Sequence, residues 1–103
     1  MKGGESMIRV VAKFVVDINR EGEFLKNAAQ LVKATQEEIG FREYGLHKDA
    51  RQPATYVFIE TWDDAIALHE HTQTEHYKTI VPILENLTIC PVQLDIYSGI
   101  IFN

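Results

Sequence analysis

The chain has 103 residues, of which 46% are hydrophobic and 24% are charged, and its formal net charge is −5. This length fits one domain with a hydrophobic core, and the composition is typical of a globular protein. The acidic charge argues against a nucleic-acid partner, which would require a basic stripe, and the apolar runs are too short to span a membrane.

The N-terminal residues 1–6, M-K-G-G-E-S, are small and polar, and a second methionine follows them at the start of an apolar segment. We interpret them as a leader or a cloning remnant and assign the single domain to residues 7–103. No secretion signal is recognised, which predicts a cytoplasmic protein. The lone Cys90 has no disulfide partner in the chain and no metal-ligand spacing around it, so it is interpreted as an ordinary reduced cysteine.

The first half of the domain predicts a strand, a helix and two further strands. Residues 8–16 are rich in β-branched side chains, with apolar residues on both faces. A helix is predicted from about Arg20 to Ile39, with Asn19 as its N-cap and Gly40 as the residue that ends it. Strands are then predicted over residues 41–48 and 55–62, separated by a polar turn.

Three of the four histidines follow the only tryptophan, Trp62. Asp63 is predicted to cap a helix in which His71 faces inward and His69 faces water. The pattern is predicted to bend at residues 72–74 before a second apolar stripe, and Pro82 inside that stripe predicts a kink or a short break.

A last strand is predicted over residues 91–97, with Leu94 and Ile96 alternating against Asp95 and Tyr97. The order β-α-β-β-α-β indicates an α+β, ferredoxin-like fold: an antiparallel sheet with both helices on one face. Because the first and third strands are apolar on both sides, we expect the open sheet face to pack against a second copy as a homodimer.

Several motifs resemble one known family. They are the strand I-R-V-V-A-K, the segment Y-G-L-H-K-D and the pattern Y-V-F-I-E-T-W followed by A-L-x-x-H-x-x-T-x-H-Y, in which Trp62, His71 and His76 occur. The chain is similar here to the antibiotic biosynthesis monooxygenase family. The resemblance implies a dimeric α+β barrel built from two ferredoxin-like chains.

The family includes cofactor-free oxygenases of phenols, quinols and anthrone-like polyketides, together with haem degraders and an isomerase of a phosphorylated signalling sugar. The resemblance to the haem-degrading subgroup is poor. The first strand lacks that subgroup's Asn, and its Trp and its haem-ligating His would correspond to His71 and about Val81. The segments H-Y-K-T and L-E-N-L are similar to the isomerase subgroup.

The resemblance implies His71 as a catalytic base, since a histidine with a pKa of about 6.5 can accept a proton near neutral pH. His76 would assist it or cap a helix. Trp62, Tyr44 and Tyr97 would form the walls around an aromatic substrate or, alternatively, belong to the core.

No cofactor and no metal are expected. His69 and His71 point in different directions on a helix, unlike a metal-binding pair four residues apart, and no nucleotide-binding fingerprint is present. The first functional hypothesis is a cofactor-independent monooxygenase acting on small aromatic or quinol-like compounds with molecular oxygen.

Two further hypotheses remain open. An isomerase of a phosphorylated sugar would need a phosphate anchor such as Lys13, Arg9 or Lys48. A non-catalytic ligand-binding or stress-response dimer would have purely structural histidines. Filling of the space beside Trp62 by the protein's own side chains would favour this last hypothesis.

Overall fold

The computed structural model describes residues 6–102. The sheet is antiparallel throughout, with strand order β2-β3-β1-β4. This is the predicted ferredoxin-like α+β arrangement. Apart from Ser6, the predicted leader lies outside the described residues. The elements are β1 (Ile8–Val15), α1 (Glu21–Thr35), β2 (Phe41–Lys48), β3 (Thr55–Trp62), α2 (Ala65–Thr72), α3 (Glu75–Glu85) and β4 (Gln93–Ser98).

The helices cover one face of the sheet and leave the other open. Val10 and Phe14 of β1 are buried on the covered face, and their β3 partners in the register are Glu60 and Tyr56. Residues paired across antiparallel strands share a face, and successive residues alternate between faces. The charged side chain of Glu60 therefore lies among apolar neighbours on the covered side.

The core under the helices is built from aromatic and aliphatic side chains. Phe24 of α1 packs against Phe14 and Tyr56 with ring centroids 5.6 and 5.2 Å apart, and Leu31 and Leu84 are also buried. Burial of each large apolar side chain contributes about 1.5–3 kcal/mol. These contacts hold α1 and α3 against the sheet.

Helix α1 ends at Thr35, four residues before the predicted end at Ile39, and Ile39 is 94% exposed. The amides of Glu37 and Glu38 donate to the carbonyls of Ala34 and Thr35, which tightens the chain into turns beyond the helix. Glu38 therefore leaves the helix and extends toward α2.

Gly40 lies in the turn that follows. Its φ of +88° is in the left-handed region, and a Cβ at this position would lie 2.6 Å from Cβ of Ala67. Gly40 thus has the predicted conformation, but its role is to let this loop approach α2 closely, because the helix has already ended.

Both predicted helix caps are wrong. Asn19 does not cap α1, which begins after Arg20 and has no side-chain capping hydrogen bond. Asp17 instead caps the short 3-10 turn Ile18–Arg20 before α1, and its side chain accepts a hydrogen bond from the Asn19 amide. Asp64, not Asp63, caps α2 by accepting from the amide of Ala67 at 2.9 Å. In each case a carboxylate lies at the position where the first backbone donors need an acceptor.

The break predicted at residues 72–74 separates α2 from α3, whereas α3 runs through Pro82 to Glu85 without the break considered there. Pro82 lacks the backbone N–H that would donate to the carbonyl four residues earlier, yet the helix continues for three residues beyond it. None of the helices in the described range is long and apolar enough to cross a bilayer.

Candidate functional site

Four aromatic side chains meet where β3 passes into α2. Trp62 ends β3 and is fully buried, and His71 of α2, 1% exposed, packs on it with ring centroids 4.6 Å apart. The rings of Tyr44 and Tyr77 lie 5.3 and 5.1 Å from the His71 ring. Three of the predicted site residues, Trp62, His71 and Tyr44, are thus brought together, and His71 faces inward.

Glu38 links the two histidines of the predicted site. Its Oε2 lies 2.8 Å from Nδ1 of His71 and 2.5 Å from Nε2 of His76. We call Glu38, His71 and His76 the triad. Sequence patterns did not single out Glu38, because it lies 33 residues before His71 and 38 before His76 in a segment assigned to an exposed helix end.

The triad orients His71. When Nδ1 of His71 donates to the Glu38 carboxylate, Nε2 carries the lone pair, and this Nε2 is buried with no hydrogen-bond partner among residues 6–102. Burial lowers the pKa of His71, and the adjacent Glu38 carboxylate partly opposes that change. At neutral pH His71 is therefore uncharged, with an unused acceptor nitrogen.

The same three groups are the candidate metal ligands of the described chain, with ligand atoms within 4.8 Å of one another. Two ligand atoms that share a zinc ion at about 2.0–2.1 Å are themselves about 3 Å or more apart. The oxygen of Glu38 is closer to both histidine nitrogens than that, at hydrogen-bonding distance. As positioned, the triad is a hydrogen-bonded cluster, and a metal would require it to open.

A cavity of about 220 Å³ lies beside this cluster. Its walls are mostly apolar side chains from the sheet, α1 and α3, and its polar lining residues are Tyr44, Tyr77, Glu60 and Glu85. Trp62, His71 and His76 are not part of the lining. The His71 ring instead packs against the two tyrosines that do line the cavity.

Glu60 is the buried acid of the cavity, and sequence reasoning did not propose it as a site residue. Its Oε1 accepts a hydrogen bond from Nε1 of Trp62 at 3.0 Å. Burial raises the pKa of Glu60 to about 7. Burial, together with the nearby Glu60 charge, also raises the pKa of Tyr44, which stays protonated at neutral pH. The sequence signal that could have identified Glu60 is its position on the same strand face as Tyr56, Phe58 and Trp62.

Tyr97 is separated from the other predicted site residues. It pairs with Arg9 on the open face of the sheet and is 55% exposed, so it contacts neither the cavity nor the triad. Lys13 also lies on the open face, since it alternates with the buried Ala12 and Phe14. The predicted substrate contact through Tyr97 therefore finds no support within one subunit.

The chain matches the family model described as antibiotic biosynthesis monooxygenase over residues 7–82. It belongs to this family. Strands β1 to β3 and the Trp62–His71 contact described above fall within the matched region.

Individual relatives agree with this assignment. The chain is 30% identical over 88 residues to the Bacillus subtilis protein named Putative monooxygenase YcnE, covering 85% of this chain and 93% of that protein. A conserved protein from Methanosarcina mazei Go1 superposes with a TM-score of 0.88 at 30% identity, over 90% of this chain and 92% of that one. A solved antibiotic biosynthesis monooxygenase gives a TM-score of 0.85 at 27% identity, over 90% and 98%.

Proposed function

We propose that this protein is a cofactor-independent monooxygenase of small, uncharged aromatic or quinol-like compounds, with molecular oxygen as the second substrate. The observation that carries the proposal is the combination of a small apolar cavity with an adjacent neutral histidine, His71, whose Nδ1 is bonded to Glu38. Family membership agrees with oxygenase chemistry. An apolar cavity with a few polar groups is the usual form of a small-molecule site.

In the proposed reaction on an anthrone-like substrate, Nε2 of His71 removes a proton from the CH₂ group that is conjugated with the carbonyl, and the electron pair of the C–H bond stays on the substrate. The resulting carbanion passes one electron to oxygen, the two radicals combine into a peroxide anion, and His71 returns its proton to give the hydroperoxide. Loss of water then leaves a new carbonyl. A CH₂ group and O₂ thus become C=O and H₂O, and no external reductant is required.

Access to His71 requires a movement of the cavity wall. The His71 ring is one aromatic ring away from the cavity, and Tyr77 on α3 is the half-buried member of the intervening pair. Rotation of Tyr77 would expose Nε2 to a bound substrate. In this proposal His76 supports the base through their shared partner, Glu38.

The charged residues that line the cavity favour the proposed monooxygenase over a phosphosugar isomerase. Its ionisable lining includes Glu60 and Glu85, and no Lys or Arg of the described chain lines it. Of the possible phosphate anchors, Arg9 and Lys13 are on the open face, and Nζ of Lys48 lies 4.0 Å from Glu21. Two acids and no cation favour a neutral substrate over a phosphate.

One observation favours a non-catalytic role as the second candidate. The space beside Trp62 is filled by Tyr44 and His71. A ligand-binding dimer would use the cavity for binding alone, and its histidines would be structural. Oxygen uptake distinguishes the two functions.

The test is oxygen consumption with a panel of quinols and anthrones. We expect turnover by the wild type and a loss of about 100-fold or more in His71→Ala, the usual contribution of a general base. His69→Ala is the matched control, because His69 lies on the same helix but is exposed. Unchanged turnover in His71→Ala would show that His71 is not the catalytic base. Solvent deuterium incorporation without oxygen uptake would favour the isomerase.

The proposal includes a homodimer formed through the open sheet face. Val11 and Ile59 pair on this face, and Tyr97 of β4 is exposed on it as well. Ile59→Glu should convert a dimer to a monomer in analytical ultracentrifugation, whereas Ile66→Glu on the exposed side of α2 should not. A wild type that sediments as a monomer would contradict the dimer.

A further inference from the structure

Glu60 is a buried carboxylate without a basic partner. It is 6% exposed, and none of the ion pairs within residues 6–102 includes it. Its side-chain hydrogen bond in this range comes from Nε1 of Trp62, which uses one acceptor position on Oε1. A carboxylate offers about four such positions. Glu60 therefore retains capacity to accept hydrogen bonds from a ligand.

The position of Glu60 in the cavity indicates the kind of ligand. The surrounding walls are mostly apolar, and the aromatic side chains of Tyr44 and Tyr77 line the cavity with Glu60. A flat apolar ligand that carries one hydroxyl group would bury its ring against these walls and leave a donor that requires an acceptor. Glu60 is the most deeply buried acceptor among the lining carboxylates, since Glu85 is exposed.

We propose that Glu60 binds a phenolic ligand in this cavity by accepting a hydrogen bond from its hydroxyl group. The hydroxyl keeps its proton, because the pKa of a simple phenol, about 10, lies above that of Glu60, about 7. This assignment rests on the proposed function for its substrate class.

The protonation state of Glu60 makes the proposal measurable. Because burial raises its pKa to about 7, the free protein holds the charged acceptor above pH 7 and the neutral acid below it. Hydrogen bonds to an ionised acceptor are roughly twice as strong as neutral ones. The preference for a hydroxylated ligand should therefore increase as the pH rises through 7.

The experiment compares 2-naphthol with naphthalene, which has the same rings without the hydroxyl, by fluorescence titration of the full chain at pH 5.5 and pH 8. A simple phenol has a pKa near that of tyrosine, about 10, so the probe remains neutral at both values. In the wild type, the preference for 2-naphthol should be about tenfold larger at pH 8 than at pH 5.5.

Two variants isolate the role of Glu60. Glu60→Gln keeps the side-chain shape and an acceptor for Trp62 but does not titrate, so its preference should be the same at both pH values. Glu85→Gln removes the other acid of the cavity and should behave as the wild type does. A pH effect that survives in Glu60→Gln, that disappears in Glu85→Gln, or that is absent from the wild type would overturn the proposal.

The experiments distinguish the role of Glu60 in binding from the proposed monooxygenase activity. A protein that binds with the expected pH dependence but consumes no oxygen keeps the role of Glu60 and loses the proposed monooxygenase activity. A protein that consumes oxygen but shows the same naphthol preference in the wild type and in Glu60→Gln keeps the proposed monooxygenase activity and loses the role of Glu60. Thermal unfolding of each variant verifies that it is folded at both pH values.

Discussion

The triad and the cavity lie side by side but differ in how their ionisable groups are partnered. In the triad, Glu38 is bonded to both His71 and His76, so its carboxylate is satisfied by the protein. In the cavity, Glu60 is bonded to Trp62 alone and faces open volume. The satisfied acid positions other groups, whereas the unsatisfied acid is available to a ligand.

Burial also changes the pKa values of Glu60 in the cavity and His71 in the triad in different ways. Desolvation raises the pKa of Glu60 to about 7, because only a neutral indole compensates its charge. For His71 the effects oppose each other, since burial lowers its pKa and the Glu38 carboxylate raises it. The region without a counter-charge is therefore expected to titrate near neutral pH.

The largest expected effect is a pH dependence of stability caused by Glu60. Its pKa is raised in the folded state, so the folded protein binds more protons than the unfolded chain, and the stability contribution decreases as the pH rises from about 4.5 to about 7. Glu60→Gln should gain about 3 kcal/mol relative to the wild type between pH 4.5 and pH 7.5. Urea unfolding of both proteins at a series of pH values measures this difference in unfolding free energy. If the unfolding free energies of the wild type and Glu60→Gln change with pH in the same way, the result would contradict the burial of an ionisable Glu60.

The second prediction concerns the loop that carries Glu38. Gly40→Ala introduces a Cβ 2.6 Å from Cβ of Ala67 at a positive φ, and we expect a loss of about 2 kcal/mol or more in unfolding free energy. Gly22→Ala is the matched control: it meets nothing within 4 Å in α1 and should be neutral or slightly stabilising. Equal effects in the two variants would show that the close approach to α2 is unimportant.

The third prediction tests the triad directly. Glu38→Gln removes the charge that supports both histidines and should reduce stability by about 1–2 kcal/mol. It should also lower the pKa of His71 further, because the opposing carboxylate is gone. Proton-detected NMR titration of the histidine ring signals measures the change, with Glu37→Gln on the exposed turn as the control. A His71 pKa that rises would contradict the orientation of the pair.

The smallest expected effect is that of metal removal. A triad held by hydrogen bonds should show the same melting temperature with and without a chelator. Added zinc should likewise change it by less than the error of the scan. A chelator-dependent melting temperature, abolished in His76→Ala, would instead identify the triad as a metal site.

Local sequence patterns predicted the order of the elements, the inward direction of His71 and the break between α2 and α3. These features depend on alternation and helical spacing, which neighbouring residues determine. The end of α1 was not predictable in this way, since the apolar spacing continues to Ile39 while the backbone turns after Thr35. Both predicted N-caps were wrong because several adjacent polar side chains were available: Asp64 caps α2 in place of Asp63, and Asp17 caps the turn before α1.

The sequence by itself determined the β-α-β-β-α-β fold and the inward direction of His71. Only the tertiary structure decided that Glu38 completes the triad, because residues 33 and 38 positions apart meet there through chain folding. It also separated Tyr97 from the cavity and gave Glu60 its function as a candidate acid. A pKa depends on burial and on neighbours in space, and neither is contained in a local pattern.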